Sequence, residues 1–255
     1  MGVTSAALAE AAPLHPPEAA AALGSTLVVA PHPDDESLGC GGTIALLRRL
    51  GLTVRVLVVS DGTHSHPNSR RYPPAALLAL REAETRAALA VLGVAPAAVT
   101  FLGLKDGAVP VEGDTDFADA LGRCRRYLAQ LEPVRTVVLP WRRDPHPDHR
   151  AVWNLMHRAS EGCAAFARSL EYPIWLWEQG ERFHRPMEGE VRIWRLAIGP
   201  VLALKRAAVA AHRSQTSDLI DDDPEGFRLT PETLAYFERP WECYLEAPCN
   251  PNAPR

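Results

Sequence analysis

The sequence predicts an α/β fold: a Rossmann-like, predominantly parallel sheet with helices on both faces, followed by a C-terminal β-rich and helical elaboration. Three observations carry this. Short β-branched runs alternate with helical patterns over the first 160 residues, and right-handed crossovers then put consecutive helices on the two faces of a parallel sheet. The 255 residues suit one such core, since domains usually run to roughly 100–200 residues and α/β ones longer. Beyond residue 160 the alternation gives way to aromatic segments.

The elements follow in order. Residues 1–24 are Ala- and Pro-rich without the basic start and apolar core of a signal peptide, so a loosely ordered or helical extension is expected there. The single domain is expected over residues 25–255, with the Rossmann-like core at 25–160 and a capping elaboration at 161–255. Leu27-Val28-Val29-Ala30 is the first strand, followed by a proline-containing loop and a helical pattern over residues 42–50. A second strand over 53–60 ends at Ser60-Asp61-Gly62, and a helix over 75–92 stops at Gly93, where a C-terminal glycine belongs. Then come a strand at 99–102, a helix at 116–131, a strand at 136–139, a proline-rich loop at 140–148 and a helix at 150–160. In the remainder, 174–177 and 191–198 read as β-rich, 201–212 as a helix and Asp221-Asp222-Asp223-Pro224 as an acidic turn.

Composition narrows the partners. With 27 Lys and Arg against 31 Asp and Glu, the net charge of -4 argues against the basic footprint of a nucleic-acid binder. No run approaches the ~18–20 apolar residues of a membrane helix, so neither nucleic acid nor membrane is an expected partner. The five cysteines are odd in number and lack a C-x-x-C pair, which favours a reducing cytoplasm over a disulfide framework. The sequence leaves a homo-oligomer open.

Two segments carry the chemistry. His32-Pro33-Asp34-Asp35-Glu36 follows the first strand and offers one imidazole and three carboxylates; His146-Pro147-Asp148-His149 follows the fourth and adds two imidazoles and a carboxylate. Such donors suit a hard or borderline divalent cation. In a sheet of order 3-2-1-4, strands one and four are adjacent, and the loops after them diverge at the switch point where such folds bind ligands. Either segment alone reads as well as a turn or helix cap; the pair reads as a metal site.

Pro31-His32-Pro33-Asp34-Asp35-Glu36 with Gly39-Cys40-Gly41-Gly42, and Pro145-His146-Pro147-Asp148-His149 further on, closely resemble the LmbE-like/PIG-L zinc deacetylases. Ser60-Asp61-Gly62, Arg81-Glu82-Ala83-Glu84, Phe101-Leu102-Gly103 and His212-Arg213-Ser214-Gln215 are similar to that family's secondary motifs. The resemblance implies that His32, Asp35 and His149 bind Zn2+, with Fe2+ or another divalent ion as the alternative, and that Asp34 is the general base. A catalytic zinc keeps an open position for water and lowers its pKa towards ~7, and consecutive side chains leave the backbone in different directions, so only one of Asp34 and Asp35 faces the ion with His32. His146 is the candidate for a cationic group that stabilises the oxyanion and protonates the amine. Asp148 is expected to hold His146 in one tautomer and raise its pKa. Some relatives place a tyrosine shortly before this motif; here the positions read Trp141-Arg142-Arg143-Asp144.

Other residues have competing readings. Gly39-Cys40-Gly41-Gly42 fails as a dinucleotide fingerprint because Ile44 replaces the third glycine, and close approach of a helix to the sheet is the better account. By resemblance Arg81 contacts substrate, against a surface ion pair with Glu84; Asp106 is a sugar-binding acid, against an ordinary Asp-Gly turn; His212 lines the pocket, against a helix cap. His64 and His66 read as exposed loop histidines, and Trp175, Trp177 and Trp194 as packing rather than cleft wall. The function expected is hydrolysis of an N-acyl group, N-acetyl above all, from a small amino sugar or glycoside. An amidase of the same mechanism acting on a thiol conjugate or acylated natural-product precursor comes next, then a non-catalytic metal- or sugar-binding protein.

Overall fold

The computed structural model describes residues 5–162 and 166–248. Among these, eight strands form one sheet: β1 (Leu14–His15), β2 (Thr26–Ala30), β3 (Val54–Ser60), β4 (Val99–Leu104), β5 (Val134–Pro140), β6 (Phe166–Tyr172), β7 (Arg192–Ala197) and β8 (Trp241–Glu246), in spatial order β1-β7-β8-β6-β5-β2-β3-β4. The expected order of the first four core strands is the one observed, with β2 parallel to both β3 and β5; Val28 pairs with Val56 on one side and Val138 on the other.

Period-2 alternation along the strands builds two apolar layers. Val28, Ala30, Val56, Val58 and Val138 face α2 (Asp35–Arg49), α3 (Pro74–Val91) and α7 (Leu202–Ala211) through Ile44, Leu47, Ala88, Leu89 and Ala208. Leu27, Val29, Leu57, Val59 and Val137 face α4 (Phe117–Gln130) and α5 (Pro147–Ser160) through Cys124, Leu128, Val152 and Leu155. Helices therefore cover both faces, α1 (Ser5–Ala11), α6 (Leu176–Gln179), α8 (Arg213–Thr216) and α9 (Pro231–Phe237) being shorter additions. No described helix is long and apolar enough to cross a membrane.

The structure departs from expectation in four places. First, α2 starts at Asp35 rather than near residue 42, so the glycines lie inside the helix. Local propensity reads them as breakers, but packing overrides it: a Cβ on Gly39 would stand 2.2 Å from Cδ2 of Tyr172, and one on Gly42 2.6 Å from Ile198. Second, α5 starts at Pro147 rather than residue 150, with proline in the first turn, where its missing N–H costs nothing. Third, the C-terminal part extends the sheet with β6, β7 and β8, the last antiparallel to both neighbours, while Trp175 and Trp177 lie at a single helical turn and not in a strand. Fourth, the N-terminal segment, expected as a loosely ordered or helical extension, is helical at Ser5–Ala11 and Pro17–Leu23 but also adds a strand to the sheet. β1 pairs with β7, Arg195 N donates to Pro13 O at 2.8 Å, and Ala20 and Leu23 are the buried residues of the 3-10 turn.

Cys40, Cys124 and Cys243 are buried free thiols; Cys163 and Cys249 lie outside the described residues. The loops after β2, β3, β4 and β5 meet at the carboxyl edge of the sheet, at the β2–β5 switch point.

Candidate metal centre

The loop after β2 and the first turn of α5 bring three donor atoms into a triangle. Asp35 Oδ2 stands 3.2 Å from His32 Nδ1 and 3.2 Å from His149 Nε2, and the two nitrogens are 3.3 Å apart. Two ligands of a tetrahedral ion with bonds of about 2.0–2.1 Å stand about 3.3–3.4 Å from each other, so these atoms have the spacing of one face of such a site. His149 is fully buried and Asp35 nearly so. The surroundings favour a cation: against burial, Asp106, Asp148 and Asp35 hold the His32 ring well above its ordinary value, and against burial His149 and His32 hold Asp35 below its own. Two imidazoles and a carboxylate could hold zinc or iron(II).

The other ring nitrogens face carboxylates. His32 Nε2 lies 3.2 Å from both Asp106 Oδ1 and Asp148 Oδ2, which places its proton on Nε2 and leaves Nδ1 turned to the triangle. A group made of His32 Nε2, Asp106 and Asp148 therefore reads as a donor with two acceptors rather than as a second metal site. The Asp148 carboxylate thus bonds His32 rather than His146, while the expected hold on the His146 tautomer comes from the Asp148 backbone N–H. Its carboxylate also accepts from Gly107 N at 2.7 Å and Val109 N at 3.2 Å, which ties the loop after β4 to α5. His149 Nδ1 faces Asp144 Oδ1 at 3.4 Å, an ion-pair distance that does not meet hydrogen-bond geometry. Asp144 was not singled out by the sequence. It is fully buried, accepting from His146 N at 3.0 Å through Oδ1 and from Ile174 N and Trp175 N at 3.1 Å through Oδ2.

Asp34 sits beside the triangle in a conformation of its own. Its φ of 132° makes it the one non-glycine residue with positive φ among those described, at a cost of about 1–3 kcal/mol. Arg81 holds it there: Nη2 donates to Pro33 O and, at 3.1 Å, to Asp34 Oδ2, while Nη1 donates to Gly62 O at 3.1 Å. Glu36 adds a bond from Asp34 N to Oε2 at 3.1 Å. The Asp34 carboxylate thus meets Arg81, while that of Asp35 meets His32 and His149. Burial pushes Asp34 up to about 7, against Arg81 and with Asp35 adding to the rise.

Arg81 is buried and makes no pair with Glu84, which instead accepts from Ser214 N and Oγ at 2.8 and 2.6 Å. His212 is a correction as well. It lies behind the site, 1% exposed and absent from the cleft wall, with Nε2 3.2 Å from Glu36 Oε1 and 3.3 Å from Ser37 Oγ. Against burial, Glu36 holds its ring above the ordinary value.

His146 differs from its expected state. Its Nδ1 accepts the backbone N–H of Asp148 at 3.2 Å, so the neutral ring carries its proton on Nε2. Burial, with His149 and His32 alongside, pushes it down to about 3. The ring is therefore a neutral hydrogen-bond donor at neutral pH rather than an imidazolium. Its ring is 4.7 Å from that of His32, and it could be a further ligand with His32 and His149, but the closer spacing belongs to Asp35.

In front of the triangle opens a cleft of about 350 Å³. Asp34, Arg81, Asp106 and His146 line it, as do His64 and Trp175. Asp106 accepts from His64 N at 2.9 Å through Oδ2 as well as meeting His32. His64 is exposed as expected, His66 is buried, and Trp175 belongs to the wall, whereas Trp194 packs on Tyr244.

A family model described as PIG-L, GlcNAc-PI de-N-acetylase, matches residues 27–160. A Bacillus cereus protein named as a probable N-acetyl-alpha-D-glucosaminyl L-malate deacetylase 2 is 27% identical over 203 residues, covering 77% of this chain and 86% of its own. A 1D-myo-inositol 2-acetamido-2-deoxy-alpha-D-glucopyranoside deacetylase of Mycobacterium sp. (strain KMS) is 36% identical over 146 residues, 48% of this chain and 46% of its own. The solved N,N'-diacetylchitobiose deacetylase of Pyrococcus horikoshii superposes with a TM-score of 0.59 at 22% identity, covering 86% of this chain and 82% of that one. At that identity the likeness is one of fold.

Proposed function

Since the chain belongs to the PIG-L family, we propose that it is a metal-dependent amide hydrolase that removes the N-acetyl group of a small amino sugar or glycoside, releasing the amine and acetate. The observation that carries this reading is the triangle of His32 Nδ1, Asp35 Oδ2 and His149 Nε2, with sides of 3.2 to 3.3 Å, whose His32 and Asp35 line the cleft together with the Asp34 carboxylate. These three residues would hold a divalent ion, zinc or iron(II), and the chemistry it supplies there is acidification of water and polarisation of the amide carbonyl.

The chain's own residues do the rest. Asp34, poised near neutrality, takes the proton of the attacking water. His146 donates from Nε2 to the carbonyl oxygen as negative charge gathers on it. As the C–N bond breaks, Asp34 returns its proton to the leaving amine, so that one group serves as base and then as acid. Asp106 and Asp148 keep His32 in the tautomer that presents Nδ1.

The test is amine release from a panel of N-acetylglucosamine, its glycosides and N-acetyl thiol conjugates, with and without chelator. Chelator-sensitive release from the sugars is expected. Release from the thiol conjugates alone would reassign the substrate, and no release from any would leave a binding protein.

A further inference from the structure

The wall of the cleft is divided. On one side the rings of Trp175 and Phe227 stand at 78° with centroids 5.8 Å apart, an inside corner to which Leu38 and Leu229 add apolar surface. A flat ring entering such a corner stacks on one face and meets the edge of the other. Phe227 is 40% exposed, so this surface is open to an incoming ligand.

The rest of the wall is polar. Arg81 is the one guanidinium among the lining residues; its two Nη atoms are taken by Pro33 O, Asp34 and Gly62 O, while its Nε has no hydrogen-bond partner. Asp34, Asp35 and Asp106 are the lining carboxylates. Gln215 Oε1 likewise has no partner; its residue is fully buried and its Nε2 donates to Ser214 Oγ at 3.0 Å and Ser65 Oγ at 3.4 Å. It is an acceptor, suited to a sugar hydroxyl or an N–H and repelled by a carboxylate or phosphate.

Resting on the deacetylase reading above, we propose that the group attached to the amino sugar is aromatic, seated in the Trp175–Phe227 corner, with a hydroxyl or N–H of the sugar on Gln215 Oε1. Stacking on the two rings favours a flat group over an aliphatic one.

The experiment measures binding, not turnover, so it does not depend on the reaction. Metal-loaded protein is titrated calorimetrically with the methyl, cyclohexyl and phenyl glycosides of glucosamine. The phenyl glycoside is expected to bind about tenfold more tightly than the methyl one, the upper range of a stacking contact, and more tightly than the cyclohexyl one. Trp175→Ala and Phe227→Ala should each remove most of the phenyl advantage, and Trp175→Phe should keep part of it. The exposed Phe227 supplies the variant that folds if Trp175→Ala does not. Equal binding of phenyl and methyl, tighter binding of the cyclohexyl glycoside, or an unchanged ratio in Phe227→Ala would overturn the proposal. A protein that prefers the phenyl glycoside yet releases no amine from its N-acetyl form keeps this inference and loses the deacetylase.

Discussion

Replacing Asp144 by asparagine keeps the shape of a fully buried side chain and removes its ability to accept on both edges. Oδ1 serves His146 N at 3.0 Å and faces His149 Nδ1 at 3.4 Å, while Oδ2 serves Ile174 N and Trp175 N. An amide has one oxygen, so whichever way it turns, one pair of N–H groups meets an NH2. Each buried donor left without an acceptor costs about 1–3 kcal/mol. The lost charge also stops supporting His149, and removing such an outer carboxylate typically lowers metal affinity about 10–100-fold, equivalent to about 1.4–2.7 kcal/mol. Competition against a chromophoric chelator reads the zinc Kd, and a urea midpoint on the metal-free protein reads the fold. In Asp144→Asn the Kd should rise and the midpoint fall, the Kd change exceeding what a partly unfolded population accounts for. A zinc affinity equal to that of the parent in a fully folded variant would refute the role given to Asp144.

Other expectations separate base from ligand and packing from charge. Asp34→Asn should retain metal by elemental analysis while losing about 10²–10⁴ in kcat, whereas His149→Ala should lose the metal; the reverse pattern would undo the assignment. Gly39→Ala puts a methyl 2.2 Å from Cδ2 of Tyr172 and should lower stability by about 1–3 kcal/mol in urea, and an unchanged midpoint would mean that α2 does not press on β6. Lys205→Met leaves the buried Glu242 carboxylate without its cation, 2.8 Å away in the parent, and should cost about 3–5 kcal/mol. Adding Glu242→Gln should recover part of that loss in the same denaturation assay.

The parallel core was legible because β2, β3 and β5 are buried and β-branched along most of their length. The added strands were not. β6 carries Arg168 and Glu171, and its polar residues make sense only once Arg168 is seen to pair with Glu246 across β8, and Arg142 with Glu171. In the site, the imidazoles and carboxylates were legible as a set, since both segments end neighbouring strands. Which carboxylate serves which ring was not. Asp148 stands two residues from His146, but the first turn of α5 aims its side chain at His32, and only its backbone N–H meets His146. Asp144 and Glu36 are single letters whose partners lie in Ile174 and Trp175, and in His212. The strain at Asp34 has no signature in the sequence, since aspartate is not the residue that φ of 132° calls for.

Reaction and selectivity are written in different parts of the chain. The triangle, its outer carboxylates, Asp34 and His146 all fall within residues 27–160, the span the family model matches. Trp175, Gln179, Gln215, Phe227 and Leu229 line the same cleft from beyond that span. Near the cleft the two parts meet at particular atoms. Asp144 links His146 and His149 to the backbone of Trp175, and Gln215 reaches Ser65 while Phe227 N donates to Ser65 O at 2.6 Å. Because the wall residues are not themselves metal donors, the substrate a site takes can differ while its donors stay the same. Family membership therefore bears on the chemistry at the triangle, while the identity of the substrate has to be sought in Trp175, Phe227 and Gln215.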